Sequence, residues 1–325
     1  MEPLRIVAIG GGTGLSTLLN GLKRYAPHEA DITAVVTVTD DGGSSGRLRR
    51  DFDVLPPGDI RNCMVALSED EALLSRLFQY RFAEGRGLKG HSFGNLFLTA
   101  LTHLTGDFAM AVRLSSEILA SRGRIFPSTV ENVALEAELE NGAIVRGETR
   151  ISKSRRRIRR VRLDPANCKP LPDTLRAIES ADLITFGPGS LFTSVVPNVL
   201  VRGIPRAIQR SRALKACFIN LMWQPGETIG FSASDHAVAI HEHAGVKLLD
   251  VVVVNTTPIR PAQRRKYAAQ EAAPVINDIP ELQRMGLEVV GAPLLAEGAV
   301  VRHDPMKSAA VAMDLARRGR ARKAA

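Results

Sequence analysis

Aromatic residues make up only 5% of this 325-residue chain. Aliphatic side chains must therefore fill its core, and a hydrophobic share of 45% is ample for a large one. The 3 cysteines, Cys63, Cys168 and Cys217, stand far apart. They give neither the short spacing of a metal site nor an even count for disulfides, so a reducing cytoplasm is expected. The opening Met1-Glu2-Pro3-Leu4-Arg5 lacks the layout of a signal peptide. No apolar run approaches the ~20 residues that a membrane span needs. Net charge is +9, concentrated at 150–162 and 317–323. Neither run holds an aromatic residue on which a base could stack, so nucleic acid is not an expected partner. They read as a solvated hairpin and a frayed terminus.

What is present centres on Thr39-Asp40-Asp41-Gly42-Gly43-Ser44-Ser45-Gly46-Arg47. The β-branched run Ile32–Val38 leads into it and reads as a strand buried on both faces. Two carboxylates at the carboxyl end of such a strand face the crevice where open α/β sheets bind ligands. The glycines can turn their N–H groups toward an anion.

Upstream, the strand Leu4–Ile9 runs into Gly10-Gly11-Gly12-Thr13-Gly14, and a helix follows from Ser16. Strand, glycine loop and helix make the phosphate-cradling unit, with unpaired N–H groups and a partial positive charge at the helix start. Position 15 is Leu, so this is not the dinucleotide Gly-x-Gly-x-x-Gly spacing. No Gly-Lys-Ser/Thr follows, so it is not a P-loop. Asp40 nonetheless stands where a dinucleotide site puts its ribose-binding acid, which keeps a nicotinamide enzyme as a distant reading.

Pro57-Gly58-Asp59-Ile60-Arg61-Asn62 turns into a helix with Asp59 as its expected N-cap. Arg61 and Asn62 then sit near the crevice. A helix is expected from Glu71 to Phe82, and another opens with His91, Ser92 and Asn95 on its first turn. Adjacent residues on a helix do not face each other, and Gly-x-Ser-x-Gly is absent, so His91 and Ser92 are not a hydrolase pair. Residues 133–149 alternate around Asn141-Gly142, a hairpin signal, and Ile158–Leu163 adds a strand. A second strand, 181–186, delivers another glycine loop, Gly187-Pro188-Gly189-Ser190. Two such loops can hold two parts of one ligand, such as a diphosphate and a sugar. Asn220 and Gln224–Thr228 follow a further strand. His236 with His241 or His243 lacks the i, i+4 spacing of a helical zinc pair; His241 and His243 read as surface.

The alternation implies an α/β fold: a doubly wound, mostly parallel Rossmann-like sheet with a small antiparallel β insertion. One domain, 1–310, would carry the insertion at about 124–163, and 311–325 would be a basic tail. Ile6 and Val36 should lie on adjacent strands.

These motifs together resemble the YvcK/CofD family, also called the gluconeogenesis-factor family, over about the whole chain. The marks are Gly10–Gly14, Thr39–Arg47, Pro57–Asn62, Gly90–Asn95, Gly187–Ser194 and Asn220 with Gln224–Thr228. The doubled Asp and the Phe-Gly-Pro-Gly-Ser-Leu run look like the YvcK branch. That branch is associated with UDP-sugar binding, gluconeogenic growth and cell shape, with no established reaction; the CofD branch transfers phospholactate from a guanylated donor to a deazaflavin. The resemblance also implies ligand contacts at Tyr267 and Arg302.

Two readings follow. One is a cytoplasmic regulatory protein that binds a UDP-sugar or related nucleotide, needs no cofactor and forms a homo-oligomer. Its ligand contacts would be Gly11, Gly12, Thr13, Gly14, Asp40, Asp41, Ser44, Ser45, Arg47, Arg61, Asn62, His91, Asn95, Gly187, Pro188, Gly189, Ser190, Asn220, Tyr267 and Arg302. The other is a transferase of a nucleotide-linked phosphoester, with Asp40 or Asp41 holding Mg²⁺. No third acid or obvious base stands beside Asp40-Asp41 in the motifs, which favours the first.

Overall fold

The computed structural model describes residues 2–68, 73–154 and 156–324. The first two residues of the helix expected from Glu71 lie outside these; its described part is Leu73–Gln79. The strands are β1 (Leu4–Gly10), β2 (Ala30–Val36), β3 (Arg124–Pro127), β4 (Ala134–Leu139), β5 (Ile144–Arg146), β6 (Ile158–Asp164), β7 (Leu183–Phe186), β8 (Leu214–Phe218), β9 (Val251–Asn255) and β10 (Glu288–Ala292). Among the described residues a parallel sheet runs β10-β9-β8-β7-β1-β2-β3. Ile6 pairs with Ile32 and Gly10 with Val36, so the first two strands are neighbours as the sequence implies.

Helices cover both faces of this sheet, and β7, β8 and β9 as far as Val254 are accordingly buried. From β1 the chain winds outward to β2 and β3; after the insertion it returns to β7 and winds the other way. The strand order therefore reverses between β1 and β7, the place where open α/β sheets leave a crevice.

The antiparallel sheet, β5-β4-β6, is smaller than expected from the sequence. Residues 124–127 belong to the parallel sheet, because β3 pairs with β2. The excursion proper begins near Ala134. Its arginines face water: Arg159 pairs with Glu138 at 2.9 Å and Arg162 with Glu136 at 2.9 Å. Such exposed pairs contribute little stability.

The C-terminal residues are not a frayed tail. Pro305–Ala324 is a helix packed on the helix Gly12–Leu22 and on β1, β7 and β8. Ala309, Ala312, Met313, Leu315 and Ala316 are buried. A Cβ on Gly21 would lie 2.0 Å from the Pro305 carbonyl oxygen, so glycine is required where the two helices cross. Two basic residues from the helix's last turns meet Asp182, which is 4% exposed. Arg320 donates to its Oδ2 at 2.6 Å and Lys323 to its Oδ1 at 3.0 Å, and the Arg5 N–H donates to Oδ2 at 2.9 Å. Burial alone would raise the Asp182 pKa, but these hydrogen bonds outweigh it and the pKa is lowered. Its stabilising effect is thus present at neutral pH and fades as pH falls below the ordinary carboxylate range. Asp182→Ala should cost about 2–3 kcal/mol in urea denaturation at pH 7, under the range for fully buried pairs because both cations keep water contact. A variant as stable as the parent would show that the helix docks by its alanines alone.

His243 is also not on the surface. It is 8% exposed. Its Nε2 accepts from the Val161 N–H at 3.0 Å, joining the helix Ala233–Ala244 to β6. His241 is half-buried, and its Nε2 accepts from the Leu249 N–H at 3.1 Å.

Candidate functional site

The two glycine loops leave β1 and β7, the adjacent strands at the reversal, and so face each other. They touch backbone to backbone. A Cβ on Gly14 would lie 2.5 Å from the Pro188 carbonyl oxygen. Gly12 takes a φ of +61°, a conformation that side-chain-bearing residues rarely adopt. Over the loops lies a cleft of about 500 Å³. Gly11, Gly12, Thr13 and Gly14 line one side, and Pro188, Gly189, Ser190 and Asn220 another. Tyr267 and Arg302 line it from the second half of the chain. The Tyr267 hydroxyl accepts from the Val301 N–H at 3.1 Å, fixing the ring beside Arg302. Trp223, Gln224, Glu227 and Ser152 complete the wall.

The cleft thus gathers half of the sequence-identified residues. The others, except Gly187, lie in or beside a second cluster among the helices Gly43–Phe52, Gly58–Leu67 and Phe93–Thr105. Ser44, Ser45, His91 and Asn95 are all buried there. Ser44 Oγ and His91 Nδ1 lie 3.0 Å apart, and Asn95 Nδ2 donates to Ser45 Oγ at 3.2 Å. These bonds knit helix to helix. His91 precedes the helix rather than lying on its first turn: Ser92 is the N-cap, accepting from the Asn95 N–H at 3.2 Å. Burial and Arg47 lower the His91 pKa, which keeps it neutral at pH 7. Arg47 lies against Gly90. Arg61 donates to the Asn62 side chain while its own Nε is buried without a hydrogen-bond partner among the described residues. Gly187 stands behind the cleft wall with a φ of +72°.

The paired carboxylates diverge. Asp41 Oδ1 accepts from the Thr149 N–H at 2.9 Å and its hydroxyl at 2.7 Å, tying the loop to the helix Glu148–Ser152 of the insertion. Asp40 Oδ1 accepts from the Gly42 N–H at 2.8 Å. Its Oδ2 points to Gly58, where a Cβ would lie 2.6 Å away.

They are not alone, contrary to the sequence reading. Asp59 is not an N-cap; it sits inside the first turn of Gly58–Leu67 and accepts from the Gly12 N–H behind the first loop. Burial, then the charge of Asp40, push its pKa up to about 7. Glu148 arrives from the insertion, with the Thr39 hydroxyl at 3.4 Å. Burial and the neighbouring Asp59 and Asp40 push its pKa well above the ordinary value. Asp59 therefore links the cleft to the acid cluster. An acid directly after the helix-opening glycine was a visible signal for Asp59. Glu148 had none, since only tertiary contact brings it in.

A family profile described as 2-phospho-L-lactate transferase CofD matches residues 6–295. A gluconeogenesis factor of Bacillus subtilis (strain 168) is 47% identical over 312 residues, 96% of this chain and 98% of that protein. Another, from Halalkalibacterium halodurans, is 48% identical over 308 residues, 94% of this chain and 95% of that protein. The crystal structure of a UPF0052-family protein from Bacillus halodurans superposes with a TM-score of 0.92 at 47% identity, covering 96% of this chain and 100% of that one. Such agreement over nearly the full length, with the glycine loops and the doubled Asp in place, means that the chain belongs to the YvcK/CofD family, in the company of relatives named gluconeogenesis factor.

Proposed function

We propose that this chain is a cytoplasmic regulatory protein that binds a nucleotide sugar of the UDP-sugar class in the cleft between the two glycine loops. The observation that carries the reading is the meeting of those loops at the strand-order reversal. Thr13 and Gly14 lie in the first turn of their helix, so their N–H groups have no helical partner, and both residues line the cleft. That is the provision for a phosphate. The neutral polar side chains of Ser190, Asn220 and Gln224 suit sugar and ribose hydroxyls, and Arg302 supplies a positive charge. The link to carbon metabolism and cell shape rests on the family resemblance. A homo-oligomer fits the exposed Leu73, Leu77 and Leu104, which leave apolar surface on neighbouring helices.

A second reading has its own support. The family profile bears a transferase's name, and Asp59 beside Asp40 supplies two carboxylates close behind the first loop. A Mg²⁺ ion there would be held by Asp40 and Asp59, since Asp41 is committed to Thr149. Its charge would offset their repulsion and, when bound, polarise a phosphoryl oxygen. Calorimetry with UDP-sugars, GDP and NAD, each with Mg²⁺ and in EDTA, separates the two. The regulatory reading expects UDP-sugar binding that persists in EDTA, with the ligand recovered intact. Binding that requires the divalent ion, with turnover of the ligand, would replace it with the transferase reading.

A further inference from the structure

The second glycine loop also opens a helix, the continuous helical stretch 191–200. Its head is already filled. Glu227, 5% exposed, places its carboxylate there. Oε2 accepts from the Phe192 N–H at 3.1 Å, and Oε1 from the Thr193 hydroxyl at 3.0 Å. The Thr193 N–H and the Ser152 hydroxyl donate to it as well. Burial pushes the Glu227 pKa up, and these hydrogen bonds pull it back toward the ionised form; every partner is a donor, the arrangement that a carboxylate accepts and an incoming phosphate would otherwise take. Pro188 removes one more N–H from this loop. The remaining groups are neutral: Gln224 Nε2 donates to Ser190 Oγ at 2.7 Å, and Asn220 Nδ2 to Gln224 Oε1 at 3.0 Å.

The two loops are therefore unlike despite their similar sequences. We propose that Glu227 is a specificity-determining residue of the cleft: as an internal anion it closes the second loop to phosphate and reserves that half for the uncharged, hydroxyl-bearing part of the ligand. This rests on the nucleotide-sugar reading. It fixes the ligand's direction, with phosphates on Thr13 and Gly14 and the sugar toward Ser190 and Gln224. A nucleoside triphosphate would put its third phosphate where the sugar goes, against the Glu227 charge.

Two measurements test it. The first needs no nucleotide: inorganic phosphate is titrated while backbone amide resonances are followed. In the parent protein Thr13 and Gly14 should shift and Phe192 and Thr193 should not; in Glu227→Ala, Phe192 and Thr193 should shift too. Phosphate-dependent shifts at Phe192 and Thr193 in the parent would overturn the proposal. The second compares UDP-glucose with UTP by calorimetry. Glu227→Gln, close to isosteric, should narrow the preference for UDP-glucose about tenfold, chiefly by tightening UTP. Equal weakening of both ligands would mean that Glu227 merely supports the loop, and would also overturn the proposal. Should UDP-glucose fail to bind the parent, the functional reading falls, while the phosphate titration still decides what Glu227 does.

Discussion

Asp59→Asn should make the protein more stable at pH 8 than its parent, while the gap closes or reverses at pH 5. The folded protein holds the Asp59 proton up to about pH 7, against an ordinary value of 3.8. Between those values the folded state binds more protons than the unfolded chain. Parent stability therefore falls as pH rises from about 4 to 7 and then levels off. The two pH units between 5 and 7 are worth about 2–3 kcal/mol at 1.36 kcal/mol per unit. Asparagine keeps an oxygen for the Gly12 N–H, carries no charge against Asp40 and titrates nowhere in this range. Urea denaturation of both proteins at the two pH values reads the difference directly. A stability gap that is the same at pH 5 and pH 8 would show that Asp59 does not carry the proton assigned to it.

Gly14→Val should abolish nucleotide-sugar binding. Its side chain would have to occupy space held by the backbone of Pro188 and Gly189, with Cβ alone 2.5 and 2.6 Å from their atoms. Backbone cannot yield as a flexible side chain can, so the loops must part. The stability cost is about 1–3 kcal/mol, the scale for overpacking. The binding cost is larger, because the cleft is the gap between these two loops. Gly12→Val makes a useful partner variant. Its Cβ would have open space, with the nearest atom, Ser194 Oγ, at 3.6 Å, but its φ of +61° strains the backbone. Calorimetry on both, with the fold checked by circular dichroism, should find binding lost in each. Parent-like affinity in Gly14→Val would place the ligand elsewhere.

Much of this architecture can be read directly from residue order. Strands β1, β2 and β7–β9 are legible because burial on both faces leaves apolar runs with no alternation. The hairpin is legible from Asn141-Gly142 between β4 and β5. β3 is not: Arg-Ile-Phe-Pro carries no run, and only its pairing with β2 makes it a sheet strand. The C-terminal helix is hidden for a related reason. Its arginines look solvated until Asp182, far away in sequence, is brought beside Arg320 and Lys323.

The site divides in the same way. Glycine loops are local devices, and both were recognisable. The partition of polar residues between cleft and packing was not, because a serine or histidine in a glycine-rich motif looks alike whether it meets a ligand or a neighbouring helix. Ser44, Ser45, His91 and Asn95 do the latter. The acids behave similarly. Asp41 reads as a ligand group beside Asp40, yet it anchors the insertion through Thr149, while Asp59 and Glu148 reach the cluster from other elements.

The most direct test of nucleotide-sugar binding between the loops is a crystal structure of the chain grown with UDP-glucose. The diphosphate should lie within hydrogen-bonding distance of the Thr13 and Gly14 N–H groups, in the cleft closed by Tyr267 and Arg302. A ligand bound away from the first glycine loop, or a cleft left empty at saturating UDP-glucose, would contradict it.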